Sequence, residues 1–326
     1  MLRILLVKTS SMGDVVHNLP VIADILRHYP DTQIDWLVEE SFSEIPKLHP
    51  RVAKVITIAI RRWRKSLCSR STWQEIKQVK KQLKQTQYDA IIDTQGLIKS
   101  AVVASWAAGN RYGMDWQSAR EPLASLFYTK KYSIPRNQHA VARNRQLAAL
   151  ALHYPIPDCH PDYGVTITTP ENHLQALVAP YAVFLHGTSR DSKLWPLANW
   201  VALAKRLAHH HLKIALPWSN TAELERARAI EAESSNAIVL PKLSLTALAD
   251  IMAKSVVNIG VDTGLIHLST ALNKPSIAIY TDTNPEFTGV APTAKNLAIN
   301  IGGKGQIPDV DKVYQLSKAH IPEVKA

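Results

Sequence analysis

Several short stretches of the chain carry side chains that can do chemistry. An apolar run at residues 3–7 leads into Lys8-Thr9-Ser10-Ser11-Met12-Gly13-Asp14. Small hydroxyl residues and a glycine let backbone amides approach a ligand, and Asp14 can accept a hydrogen bond or a proton from it. The same carboxylate can equally cap a following helix. Residues 256–268 read as a strand, then Asp262-Thr263-Gly264, then a helix. That order presents free amides at the positive end of a helix, where a pyrophosphate binds. A carboxylate beside phosphate is repulsive, so Asp262 is expected to brace the turn while Thr263 and Gly264 face the ligand. A plain helix cap is the alternative.

Three further stretches are weaker. His186-Gly187-Thr188-Ser189-Arg190-Asp191-Ser192-Lys193-Leu194-Trp195-Pro196 also follows an apolar run. Its hydroxyls and Lys193 suit a leaving diphosphate, because the lysine can neutralise charge that develops on bond cleavage. Taken alone, such a loop is more often plain surface. Glu223 stands just after Pro217-Trp218-Ser219-Asn220. A carboxylate there can accept from both hydroxyls of a ribose, or simply favour the start of a helix. Residues 61–84 hold Arg61, Arg62, Arg64, Lys65, Arg70, Lys77, Lys80, Lys81 and Lys84 against one acid, Glu75. The tight arginines around Trp63 match phosphate or carboxylate binding, whereas the later lysines read as a solvated helix face.

What is missing also narrows the choice. Neither the GxGxxG nor the GxxxxGK[ST] fingerprint occurs, which lowers nicotinamide-dependent enzymes and P-loop kinases. Cys68 and Cys159 are far apart and have no His or Cys at metal-ligand spacing, so neither a disulfide framework nor a metal site is expected. The longest stretch free of Asp, Glu, Lys and Arg, residues 172–189, contains His173, Gln175, Pro180 and His186 and cannot serve as a membrane span. The apolar run after Arg3 is too short for a signal-peptide core, and a cytoplasmic chain is the reading.

The elements that must position these residues follow from the apolar runs. Short Val- and Ile-rich runs at 3–7, 33–38, 55–58 and 90–93 alternate with longer mixed segments, as βα units do. A helix is expected over 15–28, with Pro20 kinking it or sitting in its first turn. Runs at 182–185, 213–216, 237–240, 256–261 and 276–280 repeat the pattern, and five prolines between 155 and 180 mark a connection. The expected architecture is α/β: an N-terminal domain over 1–160, a linker over 161–180 and a C-terminal domain over 181–326. Both domains are doubly wound, with ligands at the carboxyl ends of the strands, in a cleft that those ends share. A chain of 326 residues supports about two cores. Of the formal net charge of +11, nearly all lies in the first half. Such a field attracts anions, whether nucleic acid, phospholipid headgroups or a phosphorylated substrate.

Several blocks together resemble the lipopolysaccharide heptosyltransferases, of the GT-B class of glycosyltransferases. They are Lys8-Thr9-Ser10-Ser11-Met12-Gly13-Asp14-Val15, Ile60-Arg61-Arg62-Trp63-Arg64-Lys65, Gly113-Met114-Asp115-Trp116-Gln117, Ala119-Arg120-Glu121-Pro122-Leu123-Ala124-Ser125-Leu126-Phe127-Tyr128 and Val261-Asp262-Thr263-Gly264-Leu265. The basic block and the stretch from Met114 to Tyr128 are the most specific, and they point to the members that add the first heptose.

The resemblance implies a GT-B fold. It also implies transfer of L-glycero-D-manno-heptose from ADP-heptose to a Kdo sugar of Kdo2-lipid A, with inversion and without metal or other cofactor. Asp14 matches the general base. Thr188, Ser189, Lys193, Glu223, Asp262, Thr263, Gly264 and His267 match the donor site. Arg61, Arg62, Arg64, Lys65 and Arg120 match the acceptor side. The implied setting is the anionic inner face of the cytoplasmic membrane, with no nucleic acid partner and with the extreme C-terminus packing back on the N-terminal domain. Where relatives commonly read Tyr-Gly-Pro-Thr-Asp-Pro, this chain has Tyr280-Thr281-Asp282-Thr283-Asn284-Pro285, so no donor contact is assigned to that loop. Another GT-B enzyme, such as a later heptosyltransferase or a sugar-nucleotide epimerase, and a basic nucleic-acid-binding protein stand as the alternatives.

Overall fold

The computed structural model describes residues 1–167, 177 and 180–321. Most of the proline-rich connection expected over 161–180 lies outside the described residues, as do the last five residues, on which the expected C-terminal packing depends. The chain divides into two compact units, Met1–Thr166 and Ile167–Ala326. None of the described helices is long and apolar enough to cross a membrane.

In the first unit the chain runs β1 (Arg3–Val7), α1 (Met12–Val16), α2 (Pro20–His28), β2 (Gln33–Glu39), α3 (Glu44–Lys47), β3 (Val52–Ile58), α4 (Ile60–Trp63) and α5 (Arg70–Lys84). It continues through β4 (Gln87–Asp93), α6 (Ile98–Ala104), β5 (Ala108–Met114), β6 (Lys130–Tyr132) and α7 (Ala140–Leu152). The six strands form one sheet in the order β3-β2-β1-β4-β5-β6, with every adjacent pair parallel. β1 is central and covered on both faces, which explains its unbroken Ile-Leu-Leu-Val run. The single helix expected over 15–28 is two helices. Pro20, which has no N–H to give an earlier turn, stands at the first position of α2, and residues 17–19 turn the chain between the two helices. Helices α2 and α7 are clamped by a buried bidentate pair in which Arg145 Nε and Nη2 reach Asp24 Oδ2 and Oδ1 at 2.6 and 2.9 Å.

The second unit repeats the plan with β7 (Tyr181–Leu185), α8 (Leu197–Ala208), β8 (Lys213–Leu216), α9 (Thr221–Ala232), β9 (Ala237–Val239), α10 (Leu245–Lys254) and β10 (Val257–Val261). It is completed by α11 (Gly264–Ala271), β11 (Ser276–Tyr280), α12 (Pro285–Thr288), β12 (Ala298–Gly302) and α13 (Val310–Lys318). Its sheet has the order β12-β11-β10-β7-β8-β9 and is again wholly parallel. Phe184, Trp195, Trp200, Leu203 and Leu207 fill the core between the sheet and α8. The architecture is α/β with two parallel six-stranded sheets, as expected. β5, β6 and β12 were not legible as apolar runs.

His186, directly after β7, is fully enclosed. Burial lowers its pKa to about 4, against ~6.5 in an unfolded chain. Between those values the unfolded chain takes up a proton that the folded chain refuses. Stability is therefore complete above about pH 6.5 and falls as pH drops towards 4. Going from pH 7 to pH 5 should cost roughly 2 kcal/mol through this residue. Denaturant unfolding of the wild type and His186→Leu at both pH values measures it. The variant should show the shallower pH dependence, and parallel pH profiles would contradict the account.

Candidate functional site

In each unit the candidate residues lie on the loops, and in the first turns of the helices, that follow the carboxyl ends of parallel strands. In the first unit, β1 runs into Lys8–Ser11 and α1. The loop is held from beneath: Gln95 Oε1, beyond β4, accepts from the amides of Thr9 and Ser10, each at 3.1 Å. Lys8 is buried and its ammonium donates to the Thr94 carbonyl at 2.8 Å and to Asn144 Oδ1 at 3.3 Å. Burial lowers its pKa to about 8, opposed by the carboxylates of Asp14 and Asp93.

Asp14 sits in the first turn of α1. Its Oδ2 accepts from the Ser11 amide at 2.8 Å and from Ser11 Oγ at 3.1 Å, and Arg120 Nη1 lies 3.5 Å from the same oxygen. The helix-capping reading of Asp14 is therefore satisfied. Both bonds from Ser11 fall on Oδ2, so the cap is held by one oxygen of the carboxylate.

Arg120 reaches Asp14 because its loop is tied down. The Glu121 amide donates to the Gly96 carbonyl at 2.9 Å, and Glu121 Oε2 accepts from the Ile98 amide at 2.7 Å. Beneath this loop Tyr128 donates to the buried carboxylate of Asp93 at 2.8 Å. Its ring lies over Gly113, where a Cβ would come within 2.2 Å of it. Gly113 and Tyr128, from two of the blocks that carry the resemblance, thus pack directly on one another.

The basic block divides. Arg62 is committed to structure, with Nε, Nη1 and Nη2 bonded to the carboxylates of Glu40 and Glu75 at 2.9 to 3.1 Å. Glu75 also accepts from the buried Trp63 indole at 2.8 Å. Arg61 stacks its guanidinium 5.0 Å above the Phe42 ring, while Arg64 and Lys65 are exposed. Lys99, which motif reading passed over, donates to Ser10 Oγ at 2.9 Å. Burial lowers its pKa, and it feels the charges of both Arg61 and Arg120. A lysine a few residues past β4 was the available signal.

In the second unit Asp262, just after β10, is a hub. Its Oδ2 accepts from Lys193 Nζ at 2.7 Å and from Thr283 Oγ1 at 2.6 Å, and its carbonyl accepts from Thr188 Oγ1 at 2.9 Å. His267 Nε2 lies 3.9 Å from Oδ1. Burial pushes this carboxyl up, but His267, Lys193 and Thr283 together hold it well below the usual carboxylate range. Asp262 braces the turn, while Thr263 is the N-cap of α11 without a side-chain cap bond.

The 281–285 loop meets the 190–193 turn: Thr281 Oγ1 donates to the Ser192 carbonyl at 2.8 Å and Ser192 Oγ to Asp282 Oδ2 at 2.7 Å. That loop steadies Lys193, a role its sequence did not announce. Glu223 Oε2 accepts from the Ser219 amide and hydroxyl at 2.7 and 2.8 Å. The Glu223 side chain packs on Gly187 so closely that a Cβ there would stand 2.7 Å from its carboxyl carbon. Ser189 is exposed.

Among the described residues no three His, Cys, Asp or Glu side chains gather in a way that can hold a metal ion. The chain has one Asp-x-Asp spacing, Asp309-Val310-Asp311, and it is used otherwise. Asp309 caps α13 by accepting from the Lys312 amide at 2.7 Å, and Asp311 pairs with Arg206.

Residues 76–320 match the model of glycosyltransferase family 9 (heptosyltransferase). The chain is 47% identical over 289 residues to lipopolysaccharide heptosyltransferase 1 of Pseudomonas aeruginosa, an alignment covering 88% of this chain and 81% of that one. It is also similar to the structure of E. coli heptosyltransferase WaaC with ADP, at 41% identity and a TM-score of 0.90, covering 98% of this chain and 100% of that one. The same enzyme with ADP-2-deoxy-2-fluoro heptose gives a TM-score of 0.86 at 41% identity, over 98% of this chain and 99% of that one. The loops at the carboxyl edges of the two sheets are therefore those of a glycosyltransferase, and the chain belongs to glycosyltransferase family 9, the heptosyltransferases.

Proposed function

We propose that the chain transfers L-glycero-D-manno-heptose from ADP-heptose to a Kdo residue of Kdo2-lipid A, with inversion, in assembly of the lipopolysaccharide inner core. The observation that carries this reading is the Asp14 carboxylate, which stands just past β1 and is held through Oδ2 by Ser11 with Arg120 beside it. The donor side is supported by the likeness to structures whose bound molecules are ADP and an ADP-heptose analogue.

In this mechanism Asp14 Oδ1 takes the proton from the acceptor hydroxyl. The oxygen so freed bonds to the anomeric carbon on the face opposite ADP, and the bond from that carbon to the diphosphate oxygen breaks with its electron pair leaving on ADP. Lys193 and the amides at the start of α11 balance the charge on the departing diphosphate, with Thr188, Ser189, Thr263, Gly264 and His267 around it. Glu223 accepts from the ribose hydroxyls. Arg61, Arg64, Lys65, Arg120 and Lys99 meet the carboxylates and phosphates of the acceptor, with Arg62 as the strut that holds α4. The first unit is the acceptor domain and the second the donor domain. The acceptor lies in a bilayer, so the enzyme works at the anionic inner face of the cytoplasmic membrane.

The direct test is ADP release from ADP-heptose with and without a Kdo-bearing acceptor. Release only in its presence is expected, and conversion of the sugar nucleotide without acceptor would indicate an epimerase instead. Asp14→Asn keeps an acceptor oxygen for the α1 cap and should leave ADP binding intact while lowering turnover by ~10² to 10⁴. Near-normal turnover would remove Asp14 from the role of base.

Lys193→Gln should lower kcat by about 10² to 10³, the usual worth of one group that stabilises developing charge, and saturating EDTA should leave the wild-type initial rate unchanged. Activity lost to the chelator and restored by a divalent cation would show that Lys193 is not what carries the leaving group.

Exchanging Arg61 and Arg64 for Glu should raise the acceptor KM and leave ADP-heptose binding and thermal stability nearly unchanged. Exposed charges are screened over about 8 Å in physiological salt, so acceptor affinity of the wild type should fall with ionic strength faster than donor affinity. Equal loss of both would refute the division of labour between the units.

A further inference from the structure

The outer face of α5 is a continuous basic stripe with an aromatic residue near its start. Arg70, Trp73, Lys77, Lys81 and Lys84 recur at spacings of three and four residues, which puts them within one narrow arc of the helix. All five are exposed. The opposite arc is apolar: Ile76 and Val79 pack on the core that holds Leu83. An ordinary solvated face intersperses acids with its lysines and gains from the pairs. This one has none, because the only acid of α5, Glu75, lies off the stripe and is taken up by Arg62 and Trp63. Like charges three and four residues apart repel, a cost to the isolated helix that an anionic surface offsets.

Two apolar side chains stand out from this basic ground. Trp73 is 51% exposed and Leu67, on the loop before α5, is 54% exposed. The indole N–H of Trp73 donates to the Leu67 carbonyl at 2.8 Å, so the polar edge of the ring is already satisfied and the two residues form one knob. Arg64 and Lys65 precede it and are also exposed. A tryptophan beside an aliphatic side chain, ringed by cations, matches the headgroup boundary of a bilayer. The stripe is about 21 Å long.

We propose that α5 and the loop before it dock the enzyme on an anionic phospholipid bilayer, with the lysines held by headgroup charge and the Trp73–Leu67 knob inserted at the acyl boundary. This rests on the reading above that the acceptor lies in a bilayer, and it assigns both the surface and the forces: charge together with an apolar anchor.

The test is sedimentation of the full chain with phosphatidylcholine vesicles and with vesicles that also contain phosphatidylglycerol. Wild type should bind only the anionic vesicles. Lys77→Gln, Lys81→Gln and Lys84→Gln combined should weaken that binding by tens of fold or more, at roughly five-fold per lysine. Trp73→Ala should weaken it several-fold and should abolish the part that survives high salt. All variants should keep wild-type melting temperatures and wild-type turnover on detergent-solubilised acceptor. Wild type that fails to bind anionic vesicles sinks the bilayer setting and this surface together. Wild type that binds, with variants that bind equally well, overturns the surface alone. Duplex DNA that displaces the protein from vesicles at comparable concentration would show a general polyanion site and also overturn it.

Discussion

Parallel pairing is the constraint on which the rest of the structure depends. When every strand of a sheet points the same way, every strand's carboxyl end opens on the same edge, and residues far apart in sequence are delivered there together. Asp14 follows β1, Arg61 follows β3, Lys99 follows β4 and Arg120 follows β5. In the second unit Lys193, Glu223, Asp262 and Thr283 follow β7, β8, β10 and β11 in the same way. Crossover helices are the topological cost of this arrangement, and their amphipathic faces supply most of the buried core.

The carboxylates at those edges are each held by structural bonds. Asp14 and Glu223 each close a bond to the residue that begins their own turn, and Asp262 holds a lysine and a threonine from two other loops. An acid held in this way has lost its rotamer freedom before any ligand arrives, which is how a preorganised group is obtained at low entropic cost. A cap therefore does not compete with the chemical role proposed for the same side chain.

Much of this was legible in the sequence, and what was not has a physical reason. β1, β8 and β11 are buried on both faces, so their ends could be read from apolar runs alone. β6 is only Lys130–Tyr132, β12 interrupts its apolar residues with Asn300, and β5 carries Gly109, Asn110, Arg111 and Gly113; none of them presents the apolar run that announced the other strands, the edge strands β3 and β9 included. The motif loops were found from residue type. Their partners were not, because Gln95, Lys99, Glu40 and Thr283 act through distances across the sheet edge, on which local spacing is silent. The arginine block looked uniform in sequence, and only the approach of Glu40 and Glu75 separates Arg62 from its neighbours.

The seat of Tyr128 on Gly113 has a consequence for how this surface can change over time. The ring occupies the volume that any side chain at 113 would need, and its hydroxyl is one of the groups that satisfy the buried Asp93. A lone replacement at 113 evicts the ring and strips a bond from an enclosed acid, whereas a smaller residue at 128 leaves a hole and strips the same bond. Positions 93, 113 and 128 form a three-part lock that admits substitution in concert, so drift at any one of them is gated by the other two, and the Arg120 loop above inherits that restraint.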